Sequence, residues 1–175
     1  MRIKRVLAGL SIAIALGSIF PRAAIACPRD LQTRDLQTVV GLLLEDLPGY
    51  ANRVIRRSRA LGGDRETYII TAGRPEFEPL PLGSTRPVLT SPDAPKQVFF
   101  TTLEQSFEED RAIARENYHW LFLAPTEDGW RMATIFTRYG SSQKDRPPSP
   151  PRETSNGAIG QAVRLWLRDC RYRGG

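Results

Sequence analysis

Tyr118-His119-Trp120-Leu121-Phe122-Leu123-Ala124, then Pro125-Thr126-Glu127-Asp128-Gly129, then Trp130-Arg131-Met132-Ala133-Thr134-Ile135-Phe136-Thr137-Arg138-Tyr139 decide the fold. Two runs rich in aromatic and β-branched residues flank a five-residue linker with Asp-Gly at its exit, which predicts a β-hairpin. The first run is apolar on both faces, with Tyr118, Trp120 and Phe122 opposed to Leu121 and Leu123. It therefore predicts a central strand covered on both sides. Upstream, residues 97–107 alternate with Phe99, Thr101, Leu103 and Phe107 on one face, and the β-branched, aromatic residues 67–72 predict a further strand.

Outside this block the period changes from two to 3.6. Leu36, Val39, Val40, Leu43, Leu44 and Leu47 form one apolar helical stripe. Asp30 or Thr33 is expected to cap it, and Pro48-Gly49 to stop it. A second, short helix is expected over 50–59, with Tyr50, Val54 and Ile55 on one side and Arg53, Arg56 and Arg57 on the other, ended by Gly62-Gly63. Ser155 or Asn156 is expected to cap a final helix whose stripe is Ile159, Ala162, Val163, Trp166, Leu167 and Cys170, with Arg164, Arg168 and Arg171 opposite. Residues 74–95 hold six prolines and residues 140–155 include Pro147-Pro148-Ser149-Pro150-Pro151, so both are read as extended proline-rich loops. The expected fold is α+β: an antiparallel sheet of about four strands covered by an N-terminal and a C-terminal amphipathic helix.

The first residues read as a secretory signal: Arg2, Lys4 and Arg5, an apolar run from Val6 to Phe20, and Ala24-Ile25-Ala26 as a cleavage site before Cys27. Cleavage would divide the chain into a leader, 1–26, and a single domain, 27–175, of 149 residues. It would also remove four positive charges and no negative one, lowering the net charge from +6 to +2. A nucleic-acid partner is not indicated by so small a surplus. The 15-residue apolar run is shorter than a membrane span, and no other stretch is a candidate for one. Cys27 after Ala26 also suits a lipoprotein box, but Ala24 stands where leucine is usual and Pro21-Arg22 interrupts the approach. Ordinary cleavage is the preferred reading, with Cys27 then free to pair with Cys170, the only other cysteine.

Four blocks carry a resemblance: residues 45–54, residues 72–77, Tyr118-His119-Trp120-Leu121-Phe122, and Ser155-Asn156-Gly157 leading to residues 165–170. Together they resemble a group of exported cyanobacterial proteins with no assigned activity. The resemblance implies a periplasm or a thylakoid lumen, and it carries over no catalytic residue.

Three constellations could carry chemistry. His119 is the only histidine, and with two distant cysteines it makes no familiar metal spacing. Between Tyr118 and Trp120, on the face of Leu121 and Leu123, it reads as a packed structural side chain. Glu104, Glu108, Glu109, Asp110 and Glu116 could pair as carboxylates across a cleft, but interleaved with Arg111 and Arg115 they read as a solvated acidic loop. Arg53, Arg56 and Arg57, with Arg59 beyond them, form a basic helix face suited to lipid head groups, acidic polysaccharide or phosphate, unless Asp64 and Glu66 neutralise it. The chain holds no Gly-x-Ser-x-Gly elbow, phosphate-binding glycine loop, dinucleotide fingerprint or haem-attachment motif, and no cofactor is implied. The expected function is that of a non-catalytic binding or envelope-interaction module. The alternative is a small periplasmic hydrolase using His119 or the acidic residues from Glu104 to Glu116.

Overall fold

The computed structural model describes residues 35–60, 67–79, 91, 94–108, 111–143 and 145–173. Cys27, the expected caps Asp30 and Thr33, Gly62-Gly63, Asp64, Glu66, Glu109 and Asp110 lie outside them. In chain order the elements are α1 (Leu36–Ala60), β1 (Thr67–Glu76), β2 (Lys96–Glu108), β3 (Arg111–Thr126), β4 (Gly129–Tyr139), β5 (Arg152–Glu153) and α2 (Ala158–Arg173). All neighbouring strands pair antiparallel, in the order β1-β2-β3-β4-β5. The sheet is thus α+β as expected, with a fifth, two-residue strand contributed by the second proline-rich segment.

The hairpin of β3 and β4 is tighter than its sequence suggests. Both strands extend into the polar linker, so Thr126 pairs with Gly129 and only Glu127 and Asp128 form the turn. Gly129 has φ +106°, a conformation that disfavours a side chain.

Helix α1 corrects the expected break at Pro48-Gly49: one 25-residue helix runs through both and absorbs the predicted second helix. Pro48 lacks the N–H that would bond the Leu44 carbonyl one turn earlier. That carbonyl instead accepts a hydrogen bond from the Thr71 hydroxyl of β1 at 2.9 Å. The apolar stripe also continues across the proline, through Tyr50, Ala51 and Val54, so packing favours continuation. Asp35 caps the helix start, accepting from the backbone N–H groups of Gln37 and Thr38 at 3.1 Å each. The Thr38 hydroxyl on the same carboxylate is the main reason its pKa falls below the ordinary value.

Both helices lie on one face of the sheet. Val40, Leu43 and Leu47 of α1 and Ala162, Val163 and Trp166 of α2 pack with Val98, Phe100, Leu121, Leu123 and Ile135. Trp166 is 2 % exposed, and its indole N–H donates to Asp46 of α1 at 2.9 Å. Phe99, Thr101, Leu103 and Phe107 do share a face, but it is the one turned away from the helices. The register places Val98, Phe100 and Thr102 on the helix side. On the outer side, Tyr68, Ile70 and Phe107 are each about half exposed.

The two sheet edges are occupied in different ways. On β1, the Asn52 side chain of α1 donates to the Ile69 carbonyl at 3.0 Å and accepts from the Ile69 N–H at 2.9 Å. A strand interior to a sheet would offer Ile69 the same pair of bonds. The first proline-rich segment begins inside this edge strand, because Pro75 falls at a register shift between Ala72 and Glu76, where an edge tolerates a missing donor. On β4, the second proline-rich segment runs alongside as an extended border. Ser149 N–H donates to Tyr139 at 2.8 Å, Thr154 N–H donates to Ile135 at 2.8 Å, and Ser155 Oγ accepts from the Ile135 N–H at 3.2 Å. Ser155 therefore serves β4 instead of capping α2. The first helical bond of α2 runs from Gln161 N–H to the Gly157 carbonyl.

Candidate functional site

Along the helix-facing side of the sheet the chemistry changes row by row. Val98, Leu121 and Ile135 give way to Phe100, His119 and Thr137, then to Thr102, Asn117 and Tyr139, and finally to Glu104 and Arg115. His119 sits in the second row, 2 % exposed, with its ring stacked on Phe100 at 4.9 Å. Its Nε2 lies 2.9 Å from the Thr102 hydroxyl and its Nδ1 lies 2.9 Å from the Thr137 hydroxyl. Thr137 in turn contacts the Thr154 hydroxyl at 2.7 Å. A neutral imidazole has one donor and one acceptor nitrogen, so the two threonines satisfy it fully. Protonation would place a charge in this dry site, and burial pulls the pKa down to about 3. His119 thus acts as a buried polar pin between β2, β3 and β4.

Glu104, Glu108 and Glu116 lie in strands and not in the expected loop. Strands β2 and β3 run through them to the pair Glu108 and Arg111, and alternation sends Glu104 and Glu116 to opposite faces of the sheet. Glu104 accepts from Asn117 Nδ2 at 2.9 Å and lies 3.6 Å from Arg115, whereas Glu116 accepts from the Tyr118 hydroxyl. Among the described side chains, Glu104 and Glu116 therefore do not face each other across a cleft.

Arg53, Arg56 and Arg57 are brought together. They fall at i, i+3 and i+4 in the C-terminal half of α1, all exposed, opposite the buried Ala51 and Val54. Arg53 is held: its guanidinium lies 4.2 Å over the Tyr50 ring. Tyr50 is anchored in turn, its hydroxyl donating to Asp169 of α2 at 3.1 Å, and the other Asp169 oxygen accepts two bonds from Arg168. The anchor of the α1 arginine face therefore reaches across to α2. Among the described residues none of the three forms an ion pair. Arg57 and Arg59 also occupy the last turn of α1, where cations stabilise the carbonyl end of the helix.

The chain matches no known family, curated protein or solved structure. Among the described residues no three His, Cys, Asp or Glu side chains converge as a metal site, and no helix is long and apolar enough to cross a membrane. Cys170 lies half-buried against the core, and its expected partner Cys27 lies outside the described residues.

Sequence reasoning located the arginine stripe but missed what organises it. The local pattern places Tyr50 on the apolar side, where its ring is indeed buried, and carries no signal that its hydroxyl reaches Asp169, 119 positions away.

Proposed function

We propose that this protein is an exported, non-catalytic binding module that docks on an anionic component of the cell envelope through the helix face of Arg53, Arg56 and Arg57. The observation that carries the reading is the arrangement of those arginines: three adjacent, exposed guanidiniums without an ion-pair partner among the described residues, one of them fixed over Tyr50. Arginine presents a planar fork of donors suited to phosphate and carboxylate, and a pre-positioned fork loses less freedom on binding. Export rests on the leader-like first 26 residues, and a periplasmic or thylakoid-lumen location on the resemblance to exported cyanobacterial proteins. Anchorage through a lipidated Cys27 is the competing form of the same proposal. The hydrolase reading is disfavoured by the sealing of His119 between Thr102 and Thr137 and by the separation of Glu104 from Glu116.

Chromatography of the purified protein on immobilised heparin, a polyanion, tests the proposal. The wild-type chain should be retained at low salt, and R53A/R56A/R57A should elute in the flow-through. Equal retention of the two would refute it.

A further inference from the structure

The row-by-row change on the helix side of the sheet ends in a crevice. Beyond His119 and Asn117, the segment after β4 folds back toward β3 and borders an open groove of about 360 Å³ between Arg115, Tyr139, Ser142, Gln143 and Arg146. That volume is in the range of small-molecule sites. The fold-back needs Gly140: its N–H bonds the Glu116 carbonyl at 3.0 Å, and a Cβ there would lie 2.1 Å from that oxygen.

The cationic wall is supported from below. Asn117, 2 % exposed, donates to Glu104 at 2.9 Å and accepts from the Gly140 N–H at 3.3 Å, joining the start of the loop to the carboxylate beside Arg115. The Glu104–Arg115 contact is loose at 3.6 Å, so it orients the guanidinium and leaves its remaining donors available. Arg146 stands on the loop side, exposed and without an ion pair among the described residues. The crevice lining includes no carboxylate. Ser142 and the Gln143 amide add side-chain donors and acceptors that make no hydrogen bond among the described residues, and the Tyr139 ring is 38 % exposed.

Two arginines reach the groove while the nearest acids stand behind them, Glu104 at 3.6 Å from Arg115 and Asp145 next to Arg146 in the chain, so the lining itself favours an oxyanion. Uncommitted hydroxyl and amide groups beside an aromatic ring select a hydroxylated body attached to it. We propose that this crevice binds a small anionic polyol, a sugar-sized molecule whose carboxylate or phosphate sits between Arg115 and Arg146 and whose hydroxyls face Ser142 and Gln143. The site is separate from the arginine face of α1 and stands without it.

The test is titration calorimetry of the full chain with three probes: D-glucuronate, glucose 6-phosphate and neutral glucose. At least one of the two anions should bind with a millimolar or tighter Kd, and glucose should be weaker by about tenfold or more. Binding of glucose 6-phosphate alone assigns a phosphate, and binding of glucuronate alone a carboxylate. R146Q, an exposed substitution checked by an unchanged unfolding midpoint, should weaken the anion by about tenfold, and R146K should recover part of the loss. Absence of binding by both anions up to about 10 mM, equal binding of glucose, or R146Q behaving as wild type would each overturn the proposal.

Discussion

The Thr71 hydroxyl of β1 donates to the Leu44 carbonyl of α1, the acceptor that Pro48 leaves empty. A helix-breaking residue is thereby converted into a docking point between the first helix and the edge strand. Thr71→Val keeps the shape and removes the donor, leaving a part-buried carbonyl unsatisfied, so unfolding free energy should fall by about 1–3 kcal/mol. In a Pro48→Ala background the restored N–H can take over that carbonyl, and the same substitution should cost less by about 1 kcal/mol. Urea denaturation of the four proteins measures the coupling; equal costs in both backgrounds would show that Thr71 does not compensate for Pro48.

Asn52 protects the β1 edge by bonding both backbone groups of Ile69. Asn52→Leu should destabilise by about 1–3 kcal/mol and expose an unpaired edge beside the uncharged stretch from Thr67 to Ala72. Self-association that rises with concentration, measured by analytical ultracentrifugation, is the expected result, with the wild-type chain unaffected under the same conditions.

His119 gives stability a pH dependence of definite sign. The folded-state pKa is depressed to about 3, below the unfolded value of about 6.5, so between these values the unfolded chain binds the extra proton. Stability is therefore complete above about pH 6.5 and declines as pH falls, by up to about 1.4 kcal/mol per unit within the window. His119 is the only histidine, so the decline between about pH 6.5 and 5 should vanish in His119→Gln, whatever that substitution costs at neutral pH. Urea midpoints across that range check it.

The proposed export predicts a bridge between Cys27 and Cys170. Intact mass of the exported protein should lie two hydrogens below that of the reduced chain, and Cys170→Ser should lower stability by a few kcal/mol. A mass increase of diacylglycerol size would establish lipidation of Cys27 instead.

Much of the architecture was legible because periodicity is written into consecutive residues. The stripes 36–47 and 159–170, the hairpin of Leu121 and Ile135, and the placement of His119 with Leu121 all follow from which side chains must leave water. The corrections share a different cause. Whether Pro48 ends a helix depends on Thr71, and whether Ser155 caps α2 depends on Ile135. Each is settled by a partner about 20 positions away or more. The arginine stripe was likewise visible at i, i+3 and i+4, whereas its anchor through Tyr50 and Asp169, and the crevice of Arg115 and Arg146, required chain segments that only the fold brings together.

Binding of the exported protein to phosphatidylglycerol vesicles, compared with phosphatidylcholine vesicles and followed by co-sedimentation as salt rises, tests the envelope-docking claim most directly. Exposed charges are screened over about 10 Å at 0.1 M salt and about 3 Å at 1 M. The wild-type chain should sediment with the anionic vesicles at low salt and be released as salt rises, and R53A/R56A/R57A should stay in the supernatant throughout. Sedimentation of the triple variant equal to that of the wild type, or no preference for anionic over zwitterionic vesicles, would contradict docking through this face.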